Sequence, residues 1–229
     1  MSAEAFRFLD IGGGPDIFRD PEIMSDLRSV RLARENPQGE YIIFDFQIVP
    51  EQASALSSQI PNLHFIIGKI ELARGLPLGD KSIDRVEMNF MWTPLTNSVL
   101  DKSEDESKKM HNSIVYGRPF IDLYEEALRE AVRVLKPGKT LAITEKHERM
   151  QRIRRLLSRD SWLDMDGFLI SNLGLKYDWP NYKLVEMNDP NMTIYAQNAV
   201  NQREYAKKSG DTREAEELLI YTLELYKKE

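Results

Sequence analysis

Two carboxylates and a run of glycines are the residues of this sequence best placed to do chemistry. Asp10 lies in the apolar stretch Phe8-Leu9-Asp10-Ile11, which passes directly into Gly12, Gly13 and Gly14. Glycine reaches positive φ without a Cβ penalty and lets a ligand lie against bare backbone amides, so this reads as a strand meeting a tight, ligand-cradling turn. Asp45 closes a second apolar run, Tyr41-Ile42-Ile43-Phe44. At the carboxyl end of a strand in an open α/β sheet, such an acid can accept both ribose hydroxyls of a bound nucleoside. Asp10 and Asp16 flank the glycine turn and oppose the attraction of a helix N-terminus for an anion, so the expected guest carries positive charge.

Two other glycine-turn chemistries fit less well. A dinucleotide fingerprint wants glycine or alanine three places after its second glycine, and that place is taken by Ile17. A phosphate loop needs lysine and a hydroxyl residue after the last glycine, where Pro15-Asp16-Ile17 stands instead.

The stretch resembles motif I of the class I S-adenosylmethionine-dependent methyltransferases, with Asp10, Gly12 and Gly14 as the acid and the first two glycines and Asp16 in the usual place of the third. The resemblance implies S-adenosylmethionine as cofactor, with Asp10 near its cationic methionine end and Asp45 on its ribose. Gly12, Gly13 and Gly14 then lie beneath it, and Phe46 and Ile70 complete the pocket, Ile70 on the adenine face. Lys69 stands near where the family often has an acid for the adenine amino group. Leu76 to Met88 resembles the family's approach to its fourth strand, and Arg133-Val134-Leu135-Lys136-Pro137-Gly138 its turn before the fifth.

That fourth strand runs into Asn89-Phe90-Met91-Trp92-Thr93-Pro94, on the methyl-acceptor side of the cofactor. Asparagine here is similar to the Asn-Pro-Pro-aromatic motif of amino-group methyltransferases, without its prolines, and more faintly to the Asn-Phe and Trp stretch of tRNA guanine-N7 methyltransferases. Asn89 is thereby the catalytic candidate and a cofactor contact; the competing reading makes Phe90 and Trp92 packing residues. Transfer would be direct, with the acceptor aligned and water excluded, so no dedicated base is required.

These residues need a scaffold, and the pattern supplies one. Asp20-Pro21-Glu22 reads as a helix start, with Ile23, Leu27 and Val30 at helical spacing until Asn36-Pro37-Gln38-Gly39. A weak helix follows over Pro50 to Ile60, then a strand over Leu63 to Ile67. Thr93 to Arg118 is polar and long enough to be a substrate loop or lid; His111 within it reads as solvated. Phe120, Tyr124, Ala127, Leu128, Ala131 and Leu135 make one apolar helical face opposite Glu125, Arg129 and Arg133. Lys136-Pro137-Gly138-Lys139 ends that helix and Thr140 to Thr144 is the fifth strand. Arg152, Arg155 and Arg159 share a side of the next helix, read as a solvated face ahead of a phosphate grip.

Leu184 to Met187 and Met192 to Ala196 predict an antiparallel hairpin. Past Gly210-Asp211, the residues Ala215, Leu218, Leu219, Thr222, Leu225 and Tyr226 predict a helix with one apolar stripe. The whole predicts a doubly wound, mostly parallel seven-stranded α/β sheet, a Rossmann-like methyltransferase fold, with an antiparallel terminal hairpin and a C-terminal helical tail. The domain would cover residues 1–198 and the helical extension residues 199–229, its stripe buried on the domain or, as a homodimer contact, on a second copy.

Composition sets the outer limits. The 229 residues are 41% hydrophobic and 30% charged with a net charge of -6, short of the basic surplus of a dedicated nucleic-acid binder. With no cysteine and three scattered histidines, a Cys or His metal centre is not expected. Neither a signal peptide nor a membrane span is expected, which points to the cytoplasm. The functional expectation is a methyltransferase acting on a small molecule or RNA. A catalytically silent scaffold that binds a partner protein and a nucleotide-dependent oxidoreductase are the alternatives.

Overall fold

The structure, a computed structural model, describes residues 5–12, 27–45, 48–68, 75–89, 114–115, 118–146, 150, 173–184, 203–210 and 219–229. Four segments form parallel strands: β1 (Arg7–Ile11), β2 (Glu40–Asp45), β3 (Leu63–Ile67) and β4 (Ile83–Asn89). Consecutive residues such as Phe8 and Leu9, or Ile42 and Ile43, are all buried because both faces of the sheet are covered. Phe8, Tyr41, Ile43 and Leu63 pack against α1 (Arg28–Glu35) and α2 (Pro50–Gln59). Leu9, Ile11, Ile42, Phe44, Val86 and Met88 turn to the opposite face, under α3 (Phe120–Val134).

Helix boundaries follow local chemistry. Helix α1 buries Val30 and Ala33, three residues apart, and ends at Asn36, whose side chain donates back to the Leu32 carbonyl at 3.1 Å. Asn62 stitches the following turn to β3, its amide reaching the carbonyls of Ala33, Asn36 and Gly39 at 3.0, 3.2 and 3.1 Å. Pro50 at the start of α2 loses no helical hydrogen bond there. Helix α3 buries Tyr124, Ala127, Leu128 and Ala131, the face that the pattern predicts. The start expected at Asp20 lies outside the described residues.

A two-stranded ribbon, β5 (Ile114–Val115) and β6 (Arg118–Pro119), leads into α3, while 93–113 and 116–117 of the expected loop lie outside the described residues. Strand β7 (Leu135–Lys146) follows α3 directly: Leu135 pairs with Ile83 and Thr140 with Arg85, so the expected Lys136 to Lys139 turn is a bulge within the strand, with Gly138 at φ 69°. Strands β8 (Leu175–Leu184) and β9 (Ile220–Lys227) complete a seven-stranded sheet of order β3-β2-β1-β4-β7-β9-β8. β9 runs antiparallel to both its neighbours.

The antiparallel pair is therefore built from other segments than those expected. Leu184 ends β8, but its partner is β9, and 185–202 lie outside the described residues. The C-terminal helical tail is corrected as well, since 220–227 form a central strand of the sheet. Leu223 and Leu225 are fully buried in the main core while Thr222 and Glu224 face the other way, a period of two. Of the expected apolar stripe, Thr222, Leu225 and Tyr226 lie in this strand, while Ala215 and Leu218 lie outside the described residues. A short segment rich in Ile, Tyr, Thr and Leu fits both periods, and the open strand position between β7 and β8 decides between them. Residues 203–209 are helical. Among the described residues no helix is long and apolar enough to cross a membrane.

Candidate active site

Parallel pairing brings the carboxyl ends of β2, β1 and β4 side by side, and with them three of the residues expected to act. Asp10 is the penultimate residue of β1, Asp45 the last of β2 and Asn89 the last of β4. All three are buried, at 4%, 5% and 3% exposure. Just beyond β1, Gly12 adopts φ 81°, and its N–H donates to the Phe44 carbonyl at 3.0 Å, so the chain turns across the end of β2. Here glycine is required by the backbone. Gly13, Gly14, Phe46 and Ile70 lie outside the described residues, as do Asp16, Lys69, His111 and the arginines of the 152–159 stripe.

Asp10 is held from two sides. Asn89 Nδ2 donates to one carboxylate oxygen at 3.0 Å, and the Ser29 hydroxyl of α1 donates to the other. Glu87 is its register neighbour on β4. Burial first, with the Glu87 carboxylate adding to it, outweighs the two hydrogen bonds and the Arg28 charge and pushes the Asp10 carboxyl up to about 6. Glu87 in turn is bonded by Arg28 and, at 2.7 Å, by Arg85, which reaches on to Glu224 of β9 at 2.8 Å. Arg28 also lies over the Phe8 ring, 5.7 Å from its centroid. The result is a polar layer on the α1 face, acidic at Asp10 and charge-balanced behind it.

Around Asp45 the surroundings are different. The Gly68 N–H donates to the Asp45 carbonyl at 3.1 Å, and Ile67 beside it is half-exposed. A Cβ on Gly68 would come within 2.8 Å of the Phe44 ring, so glycine lets the end of β3 close against that ring. Further along the edge, Thr144 of β7 and Thr222 of β9 share a hydrogen bond at 3.0 Å. Among the described residues no group of three or more His, Asp or Glu side chains could hold a metal ion.

A groove of about 620 Å³ lies by the amino ends of β1 and β2, bordered by Phe6, Phe8, Arg28, Tyr41 and Arg85. None of Asp10, Asp45 and Asn89 lines it, so this groove and the acidic edge are separate features. Sequence reasoning missed Ser29, Arg28 and Glu87. Glu87 carried a signal, because Arg85, Glu87 and Asn89 are polar at every second place, alternating with apolar Val86 and Met88. Ser29 carried none, sitting beside the helical stripe rather than on it.

No protein-family model and no curated protein matches the sequence. Solved structures do. The 16S rRNA (adenine(1408)-N(1))-methyltransferase of Catenulisporales acidiphilia, solved with its cosubstrate SAM, aligns over 98% of this chain and 86% of its own at 15% identity, with a TM-score of 0.50. The 16S rRNA methyltransferase KamB aligns over 96% and 88% at 14% identity, also with a TM-score of 0.50. A SAM-dependent methyltransferase of Methanosarcina mazei aligns over 99% and 94% at 15% identity, with a TM-score of 0.48. With a parallel sheet closed by an antiparallel pair, the chain has the Rossmann-like fold of the class I S-adenosylmethionine-dependent methyltransferases.

Proposed function

We propose that this protein is an S-adenosylmethionine-dependent methyltransferase whose cofactor lies across the carboxyl ends of β1, β2 and β4. The observation that carries this reading is the convergence of Asp10, Asp45 and Asn89 at three adjacent strand ends, beside a glycine held at positive φ. The residues suit a cationic nucleoside. Among the described residues Asp10 accepts only from neutral donors, so its negative charge, when present, is available to a ligand. Asp45 stands where ribose hydroxyls are received in sheets of this kind.

The cofactor, when bound, supplies a methyl group on a sulfonium. Everything else falls to the chain. Asp10 balances the positive end, Asp45 takes the ribose, Gly12, Gly13 and Gly14 leave backbone exposed, and Phe46 and Ile70 flank the base. Asn89 has one N–H engaged by Asp10, and its carbonyl oxygen can still accept a hydrogen from the acceptor. Holding the acceptor in line is worth several kcal/mol by itself. Its class is RNA or a small molecule. Two fold neighbours are 16S rRNA methyltransferases, while the net charge of -6 means that RNA would need a local basic patch.

Calorimetry with S-adenosylmethionine and S-adenosylhomocysteine tests the reading. Binding that disappears in Asp45→Ala supports it. A folded protein with no heat and no thermal shift overturns it and leaves a partner-binding scaffold. A screen of RNA and small-molecule acceptors with labelled methyl donor then identifies the substrate.

A further inference from the structure

Four described polar groups act on the charge of Asp10, and the actions differ in sign. From α1, Ser29 donates a hydrogen bond to it and Arg28 adds positive charge. From β4, Asn89 donates at 3.0 Å and Glu87 repels. On β2 the register partner is apolar Ile43. Glu87 is itself bound by Arg28 and Arg85, so much of the Arg28 charge is taken up before it reaches Asp10. No cation bonds Asp10 directly among the described residues.

Resting on the cofactor reading above, we propose that Ser29, Asn89 and Glu87 are positioning residues that set the pH at which the site accepts its cationic ligand, the first two holding Asp10 ready for charge and the third holding it back. Only ionised Asp10 can neutralise a sulfonium or ammonium. The carboxyl titrates at about 6, so a one-proton step in affinity falls there. A merely structural cluster would change stability without moving that step.

The test is titration of the full-length protein with S-adenosylmethionine by calorimetry from about pH 4.5 to 7, below the range in which an α-amino group titrates. Affinity of the unaltered protein is expected to rise about tenfold between pH 5 and pH 7. Ser29→Ala removes a bond to the charged form and moves the midpoint up, by about one pH unit. Glu87→Gln removes the repulsion, releases Arg28 and moves it down. Urea unfolding of each variant without ligand, across the same range, confirms folding and reads the same midpoint independently. Opposite shifts support the inference. Tight binding with a flat pH profile, or shifts of the same sign, overturns it and leaves the cofactor reading intact; no binding at any pH overturns both.

Discussion

At the amino ends of the parallel strands, Glu40 and Asp84 each sit among cations, whereas Asp10, at the carboxyl end of β1, is held by a hydroxyl and an amide. Arg7 grips Glu40 at 2.5 and 3.2 Å, and this bond above all holds the Glu40 carboxyl below its usual range. Burial pushes Asp84 up, but the Arg7 amide at 3.0 Å and Lys136 and Lys139 at 3.2 and 3.4 Å more than reverse it. No cation among the described residues bonds Asp10, whose carboxyl goes the other way. One sheet thus stabilises its acids at one end and destabilises one at the other. An acid left without its own cation is where a ligand's charge has most to offer.

The severest test concerns the sheet that both ends share. Leu223→Ala empties a fully buried place in β9 and should cost about 2–5 kcal/mol, read by urea unfolding. A cost below 1 kcal/mol would put β9 outside the core and dissolve the comparison. Next comes the acid itself. Asp10 is protonated in both folded and unfolded states at low pH, and its penalty grows as pH rises from about 4 through 6. Asp10→Asn should therefore stabilise the protein by about 2–3 kcal/mol at pH 8, leave it unchanged near pH 3, and abolish cofactor binding.

Arg133 sharpens the contrast from the cationic side. It donates to the Leu76 and Leu78 carbonyls and bonds Glu130 and Asp80, tying the segment before β4 to α3. Arg133→Met should cost about 1–2 kcal/mol in thermal or urea unfolding while cofactor affinity stays put. The smallest effect belongs to Glu40, a third exposed. Glu40→Gln should cost less than about 1 kcal/mol at pH 7. That cost fades as pH falls through the acid range, because the contribution of a lowered carboxyl is lost on protonation. Its pH trend is the reverse of that of Asp10, and equal trends would erase the distinction between the two ends.

What the sequence made legible follows the same division. Asp10 and Asp45 lie at or next to the ends of apolar runs and Asn89 ends an alternating one, and a parallel sheet aligns such endings, so the meeting of these three residues could be read from strand boundaries. Ser29 reaches Asp10 from a helix, and no one-dimensional pattern states which helix residue will lie over which strand. Arg133 reads as a solvated residue opposite the α3 apolar face, yet a long side chain spans from there to carbonyls of another segment. Asn62 looks like an ordinary turn residue and closes three carbonyls. Strand β9 was the larger misreading, because helix and strand periods overlap over eight residues and the deciding partner lies far along the chain.

The position of β9 also fixes the order in which the sheet can be assembled. β8 precedes it in the chain yet lies beyond it in space, and Lys227, at the end of β9, donates to the carbonyls of Val132 and Leu135 where α3 gives way to β7. On a ribosome, residues 175–184 would therefore emerge with no edge to join, and β7 would keep a bare one, until the later strand slid between them. Closure of the sheet waits for residues 220–227, and until then the chain carries two open flanks that a chaperone would have reason to cover.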